Sequence, residues 1–313
     1  MLINIISRDN SAGLSVDKII LKNILTREGW DVHFSDYKSL KRFSLWSRNY
    51  YDLNIFLQWA NPTWLKFAKK NILIPNPEWF KEKWEPVISK FDAIFCKTKI
   101  AVKIFQSRND NTIFTSFTSL DKSLPTIQKE DDQWIHVAGK SKLKGTETII
   151  KTWLSNPYFP HLTIIQRNSN SIDKFAENLT IISEFLELDQ LQEMMNRCSV
   201  HLCPSETEGF GHYIGEALSC GAIVITTDAP PMNELVSDER GFVVKPVSEK
   251  KMKLATAYDI NQMELEHTVS KVICAGGRAE LSKNARAYFT ANDRFFRHEI
   301  VKQIKIVVRD IDY

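Results

Sequence analysis

No stretch of this chain approaches the ~20 consecutive apolar residues that a membrane-spanning helix needs. Its densest apolar runs, Ala222 to Ile225 and Ile306 to Val308, are short, so no transmembrane segment is expected. Cysteine is sparse: there are five, with no CxxC pair among them. That pattern argues against a zinc ribbon or a disulfide framework and makes buried free thiols in a reducing, cytoplasmic setting the expectation. No internal repeat or low-complexity segment is present, and no G-x-G-x-x-G follows a strand, which argues against a nicotinamide dehydrogenase. The one Asp-x-Asp is Asp310-Ile311-Asp312, on what reads as a solvated tail and not as a metal-binding strand end. Neither a metal nor a bound cofactor is therefore expected. Met1 to Ile6 is apolar but meets Arg8 and Asp9 at once, the pattern of a first strand and not of a secretion signal.

What is present is an ordinary globular composition. Hydrophobic residues make up 43% and charged residues 25% of 313 positions, enough chain for two domains that each bury a core. The net charge of +3 hides an asymmetry: residues 1–130 carry 20 Lys and Arg against 13 Asp and Glu, whereas residues 131–313 carry 21 against 25. The basic excess of the first part suits an acidic partner, though solvated faces also account for it. Short β-branched runs alternate with helix-length amphipathic segments, the signature of βαβ units and parallel sheets. Strands are expected near Leu2–Ile6, Val32–Ser35, Leu53–Leu57, Ile72–Ile74, Ala93–Cys96 and Thr112–Phe114. Helices are expected between them, including Val16–Arg27, Pro62–Lys69, Lys81–Lys90 and Ile100–Arg108. From Thr115 to Asp132 the apolar periodicity is lost, and this segment reads as an interdomain linker. The alternation restarts at Ile135–Ala138 and ends in helices, the last from Asn292 to about Val308. Two Rossmann-like domains facing across a cleft follow: 1–120, 133–290, and a final helix over 291–313 crossing back to the first. In such sheets ligands gather at the carboxyl ends of the strands.

Four pieces of the second half carry chemistry. In His136-Val137-Ala138-Gly139-Lys140-Ser141-Lys142-Leu143-Lys144-Gly145 a buried strand ends at a glycine, and lysines precede a helix start. Helix N–H groups with flanking ammonium groups suit a diphosphate, although surface loops also hold lysines. In Pro204-Ser205-Glu206-Thr207-Glu208-Gly209-Phe210-Gly211-His212-Tyr213-Ile214-Gly215-Glu216 a strand leads through a glycine turn into a second helix start. Glu208 stands before that helix and Glu216 about a turn and a half inside it. One carboxylate can therefore reach a sugar while the other takes ribose hydroxyls. Ile214, Ala217 and Leu218 place Glu216 on a mostly buried segment, where a carboxylate needs a partner. The third piece is the buried strand Ala222–Thr226, with its Asp228-Ala229-Pro230-Pro231 loop. The fourth is the strand end Ile182-Ser183-Glu184, where Ser183 can edge a nucleobase.

From about Ile135 to Pro246 these residues resemble the donor-binding half of the retaining GT-B glycosyltransferases of family 4, the glycosyl transferases group 1 type. The family's glycine–basic…Lys-Gly element stands here as Gly139-Lys140 and Lys144-Gly145, and its E-x7-E signature as Glu208 to Glu216. The match covers roughly a third of the chain and is strong only in combination. Lys140 stands where family members usually carry arginine, so a bidentate clamp is lost there. The resemblance implies metal-independent transfer, with retention, of a glucose-type hexose from a nucleoside-diphosphate sugar of the UDP type. It implies roles for Lys140 and Lys144 at the departing diphosphate, Glu216 at the ribose, and Glu208 with Phe210, Gly211 and His212 at the sugar. It also implies that the leaving phosphate oxygen takes the acceptor proton, so no nucleophile is expected.

The first half resembles the family only in outline. Gly13, in Asn10-Ser11-Ala12-Gly13-Leu14, occupies the loop that the family brings close to donor phosphates. Glu78, in Pro75-Asn76-Pro77-Glu78-Trp79, stands where acceptors approach; it reads equally well as a first-turn helix carboxylate. Basic and aromatic residues interleave at Lys41-Arg42-Phe43, at Trp46 to Tyr51 and at Lys81-Glu82-Lys83-Trp84. This suits an acidic acceptor: a saccharide, a lipid on an anionic membrane, or a hydroxymethylated pyrimidine in DNA. Alternatively, the aromatics are core and the charges a solvated face. A non-catalytic nucleotide-sugar binder would keep Lys140, Lys144 and Glu216 without needing Glu208. An epimerase would need a further acid/base cluster.

Overall fold

The computed structural model describes residues 1–8, 13–38, 50–167 and 176–311. The chain forms two compact units, residues 1–119 with 251–255 and 292–313, and residues 120–250 with 256–291.

The first unit opens with β1 (Leu2–Ser7), α1 (Gly13–Arg27), β2 (Asp31–Asp36), β3 (Tyr51–Leu57) and β4 (Ala68–Ile74). It continues with α2 (Glu85–Ile88), β5 (Ala93–Cys96), α3 (Lys99–Phe105) and β6 (Thr112–Phe114). Its sheet runs β2-β1-β3-β4-β5-β6, every pairing parallel. Near-continuous runs of buried apolar side chains, such as Ile3, Ile5 and Ile6, are what strands covered on both faces require. One polar row crosses this interior. Asn4, Asn54 and Asn71 align across β1, β3 and β4 and bond in a ladder at 3.0 Å per step. Asn54 also donates to the Trp64 carbonyl, so these buried amides are matched.

The second unit contains β7 (Glu130–Gly139), α4 (Thr146–Ser155), β8 (His161–Gln166), β9 (Leu179–Ile182), α5 (Leu188–Arg197) and β10 (Cys198–Cys203). After these come α6 (His212–Ser219), β11 (Ile223–Thr227), α7 (Met232–Leu235) and β12 (Gly241–Val244). Its sheet is β12-β11-β10-β7-β8-β9, again parallel throughout. Trp134, Trp153, Leu162, Val200, Ile223 and Val269 form the main core. A two-stranded ribbon follows, β13 (Ser248–Met252) with β14 (Ala255–Asp259), then α8 (Gln262–Cys274) and α9 (Arg278–Val307). Residues 278–291 of α9 belong to the second unit and the remainder of the helix to the first.

Several local expectations change. The segment expected as a helix at 62–69 is a 3₁₀ helix, Pro62–Phe67, capped by Asn61, and Ala68 already begins β4. The helix expected at 81–90 breaks into a 3₁₀ turn, Glu82–Trp84, and the four-residue α2. Pro86 lacks an N–H and clashes with the turn before it, so no helix passes through. The expected linker at 115–132 is not a solvated tether. Thr115, Ser116, Phe117, Thr118 and Ser119 are buried, with Ser116 donating to Asn292 and Thr118 to Asp293. Farther on, the Lys122 N–H donates to Ser219 Oγ, Asn196 Nδ2 to the Lys122 carbonyl and the Leu124 N–H to Asn196 Oδ1. Arg286 grips Asp121 through both terminal nitrogens, at 2.7 and 2.9 Å. Side chains here replace the backbone partners that a strand or helix would supply.

Two buried histidines tie the second sheet together. His136 Nδ1 lies 2.7 Å from the Leu202 carbonyl and Nε2 2.9 Å from Thr146 Oγ1, joining β7, β10 and the start of α4. His201 contacts the Met195 carbonyl at 2.8 Å. Burial pushes His136 down to about 4 and His201 down to about 3. Both folded values lie below the ordinary value, so each supports stability fully above pH ~6.5 and loses it as pH falls toward the folded value. By about pH 5 the loss is on the order of 2 kcal/mol for each. Thermal melts should therefore show a marked fall in Tm between pH 7 and pH 5. A Tm that is flat over that interval would show that the two imidazoles are not held neutral.

Candidate functional site

The site is built where β7 and β10 end side by side. The Glu206 N–H donates to the Leu143 carbonyl at 3.0 Å, zipping the loop after β10 to the loop after β7. The Glu206 carbonyl in turn accepts from the Tyr258 N–H at 2.8 Å, and its carboxylate meets Lys250 at 3.3 Å. Thr227 Oγ1 donates to the Ser205 carbonyl at 2.7 Å. Held in this way, the two loops bring Lys144 and Glu208 into an ion pair, each side chain only 15% exposed. At that depth the pair is screened far less than a surface salt bridge.

Two glycines make the approach possible. Gly145, with φ of 69°, caps α4, and a Cβ there would lie 2.5 Å from the Pro204 carbonyl oxygen. Gly211, with φ of 101°, caps α6, with Ile214 and Leu235 crowding the place of a Cβ. Left-handed backbone and close packing at one position leave room only for glycine. Each helix begins with N–H groups that have no partner inside the helix, positive ends that attract an anion.

Four of the expected site residues besides this pair lie on the same segment. Phe210 is buried, and its ring meets that of His212 at 5.6 Å, nearly perpendicular. Glu216 is half-buried on α6. Burial raises its carboxyl above the ordinary value, an effect opposed by the charges of His212, Lys122 and Lys144. Gly211 is the cap already described. Lys140 is exposed at the end of β7, and Ser183 is exposed beyond β9. Gly13 and Glu78 belong to the first unit. Gly13 opens α1, while its neighbours 9–12 lie outside the described residues. Glu78 is 4% exposed in the 3₁₀ turn Pro77–Trp79. It is thus a first-turn carboxylate, as one of its two sequence readings had it, and it is buried.

Sequence reasoning missed three participants. Lys122, which bears on Glu216, fell inside the supposed linker. Ser205 and Tyr213 stood inside the motif but passed as spacers. In the first unit it also missed a fully buried ion pair, Lys97 to Asp17 at 2.5 Å, whose ammonium lies 4.6 Å from the Phe117 ring centroid.

The basic–aromatic stretches are only partly described. Lys41-Arg42-Phe43 and Trp46 to Asn49 lie outside the described residues. Trp84 and Tyr51 are 3% and 4% exposed, so they are core aromatics and present no face for a nucleobase. Tyr50 is exposed. Among the described residues, no group of three or more His, Cys, Asp and Glu side chains gathers to hold a metal. No helix among them is long and apolar enough to cross a membrane.

Two parallel-sheet, Rossmann-like α/β units with this site define the GT-B class of glycosyltransferase fold. Residues 113–287 match the family glycosyl transferases group 1, and the chain belongs to that family. No curated protein sequence matches the chain. Solved structures share the fold at low identity. Sucrose-phosphate synthase of Thermosynechococcus elongatus superposes with a TM-score of 0.75, at 14% identity, covering 99% of this chain and 100% of that one. Anabaena HepE in complex with UDP and glucose gives 0.71 at 14% identity, covering 98% and 100%. The lipopolysaccharide outer core galactosyltransferase WaaB gives 0.67 at 12%, covering 97% and 100%.

The glycine geometry sets a paired prediction. Gly145→Ala combines left-handed strain with a backbone clash and should cost about 3 kcal/mol or more of stability. Gly139→Ala, at φ of 60° with nothing within 4 Å of the new Cβ, should cost only about 1 kcal/mol. Urea denaturation of both variants checks this. Equal losses would mean that the contact between the two loops is not constrained at Gly145.

Proposed function

We propose that this protein is a retaining glycosyltransferase that moves a glucose-type hexose from a UDP-type nucleotide sugar to an acceptor hydroxyl without a metal. The observation that carries the reading is the Lys144–Glu208 pair, set between the N-termini of α4 and α6 with Glu216 one helical segment away. Lys144, with Lys140 beside it and the helix N–H groups, neutralises the charge that grows on the departing diphosphate, the effect that usually dominates such catalysis. Glu216 takes the ribose hydroxyls, its charge supported by His212 and Lys122. Glu208 and the Phe210-Gly211 backbone hold the sugar, with His212 at its edge, and Ser183 borders the base. The leaving phosphate oxygen accepts the proton of the attacking hydroxyl, so the C–O bond to the donor breaks as the bond to the acceptor forms on the same face. Within the first unit, Gly13 is offered for a phosphate-facing loop and Glu78 for an acceptor hydroxyl. The acceptor is acidic, a saccharide or lipid in preference to DNA, because two of the aromatics offered for base stacking are buried. The setting is cytoplasmic. UDP in a related fold, membership of the family and the anion-suited helix starts support this reading.

Three measurements test it. Lys144→Ala should weaken UDP binding about tenfold or more in calorimetry, since a charged partner leaves an anion site. Unchanged affinity would remove Lys144 from the donor site. Glu208→Gln should depress kcat far more than it alters donor affinity, the mark of a contact made mainly in the transition state. In the same assay EDTA should leave transfer intact. A rate that collapses and returns with manganese would contradict metal-free transfer.

A further inference from the structure

We infer that Tyr213 is a positioning residue for this reaction. It holds Glu208 through a hydroxyl relay and Lys144 against its ring, so that the lysine can be lent to the diphosphate without releasing the carboxylate. The inference rests on the donor-site reading above.

The relay has a direction. Ser205 is fully buried, with its N–H on the Cys203 carbonyl and its carbonyl held by Thr227. Its hydroxyl donates to Glu208 Oε1 at 2.5 Å and also lies 2.5 Å from the Tyr213 hydroxyl. A serine hydroxyl has one proton. With that proton on Glu208, the Tyr213 O–H must donate to Ser205. Burial, with Cys203 and Glu208 nearby, raises the Tyr213 phenol well above its ordinary value, so it stays a donor. The chain is thus Tyr213 O–H to Ser205 O–H to Glu208, with each bond polarising the next.

The same tyrosine serves the lysine. Lys144 Nζ lies 3.5 Å from the Tyr213 ring centroid, well within the distance at which a ring face attracts an ammonium, and it donates to Glu208 Oε1. Lysine, glutamate, serine and tyrosine therefore close a ring. An ammonium has three donors. One is on Glu208 and the ring face covers another direction, which leaves the remainder for a phosphate oxygen. As a diphosphate draws Lys144 toward itself, Glu208 loses part of its charge compensation. The Tyr213–Ser205 relay retains the carboxylate in place at that moment.

The test separates hydroxyl from ring. Tyr213→Phe removes the relay donor and keeps the ring, whereas Tyr213→Leu removes both. Ser205→Ala breaks the relay at its middle. Each is compared with the wild type for UDP binding by calorimetry and for turnover of UDP-glucose, with far-ultraviolet circular dichroism and melts confirming folding. Tyr213→Phe and Ser205→Ala should each lower kcat about tenfold while UDP affinity stays within about twofold. The double variant should be no worse than either single variant, because both break one chain. Tyr213→Leu should in addition weaken UDP binding about tenfold. If a folded Tyr213→Phe keeps wild-type kcat, or if the two losses multiply in the double variant, the relay is overturned while the donor-site reading stands. A wild-type protein that binds no UDP overturns the donor site and this inference together.

Discussion

A lysine and a glutamate 64 residues apart in sequence meet where neither is well solvated. An ammonium or a carboxylate left alone at that depth would cost several kcal/mol. Each therefore depends on the other being delivered to the same place, and the second unit is arranged to deliver them. Parallel pairing of β7 with β10 sets the two strand ends side by side. His136 pins those strands to each other and to the start of α4. The Glu206–Leu143 backbone bond joins the loops, and Gly145 lets them touch. The ion pair is the constraint that the surrounding geometry serves, and the geometry is what keeps the two charges together.

This explains why the electrostatics of the site are mixed and not uniformly basic. A purely cationic pocket would repel itself in the empty protein and pay to hold its lysines in place. Here Lys144 is compensated by Glu208, while Glu216 is compensated by His212, Lys122 and Lys144. On the proposed reading, a diphosphate would exchange one partner for another and would not enter a bare field. Preorganisation of this kind lowers the reorganisation needed when charge develops on a leaving group.

The sequence showed much of this in outline. Buried β-branched runs announced both parallel sheets, and the glycine-containing segment from Glu208 to Glu216 announced a strand–turn–helix. What it hid has physical causes. The ribbon β13–β14 is made of Ser248-Glu249-Lys250-Lys251-Met252 and its neighbour, with four of the first five positions exposed, so no apolar alternation betrays it. The segment around Lys122 looked like a tether because its backbone is satisfied by side chains of Asn196 and Ser219, distant in sequence. Pro86 cut a helix that amphipathic spacing alone had favoured. Ser205 and Tyr213 passed as spacers because their role comes from a contact across the turn between a strand and a helix, which neither periodicity nor motif spacing encodes. Trp84 and Tyr51 looked like a stacking surface and are core, since charge interleaved with aromatics describes a snorkelling surface above a buried ring as well as a binding face.

The central claim is that the anion site lies between the starts of α4 and α6 and uses Lys144. A crystal structure of the protein soaked with UDP tests it most directly. The account predicts diphosphate density against the α6 N–H groups, an oxygen within hydrogen-bonding distance of Lys144 Nζ, and Glu208 still held by Ser205. Diphosphate density bound elsewhere, with the Lys144–Glu208 pair untouched, would contradict it.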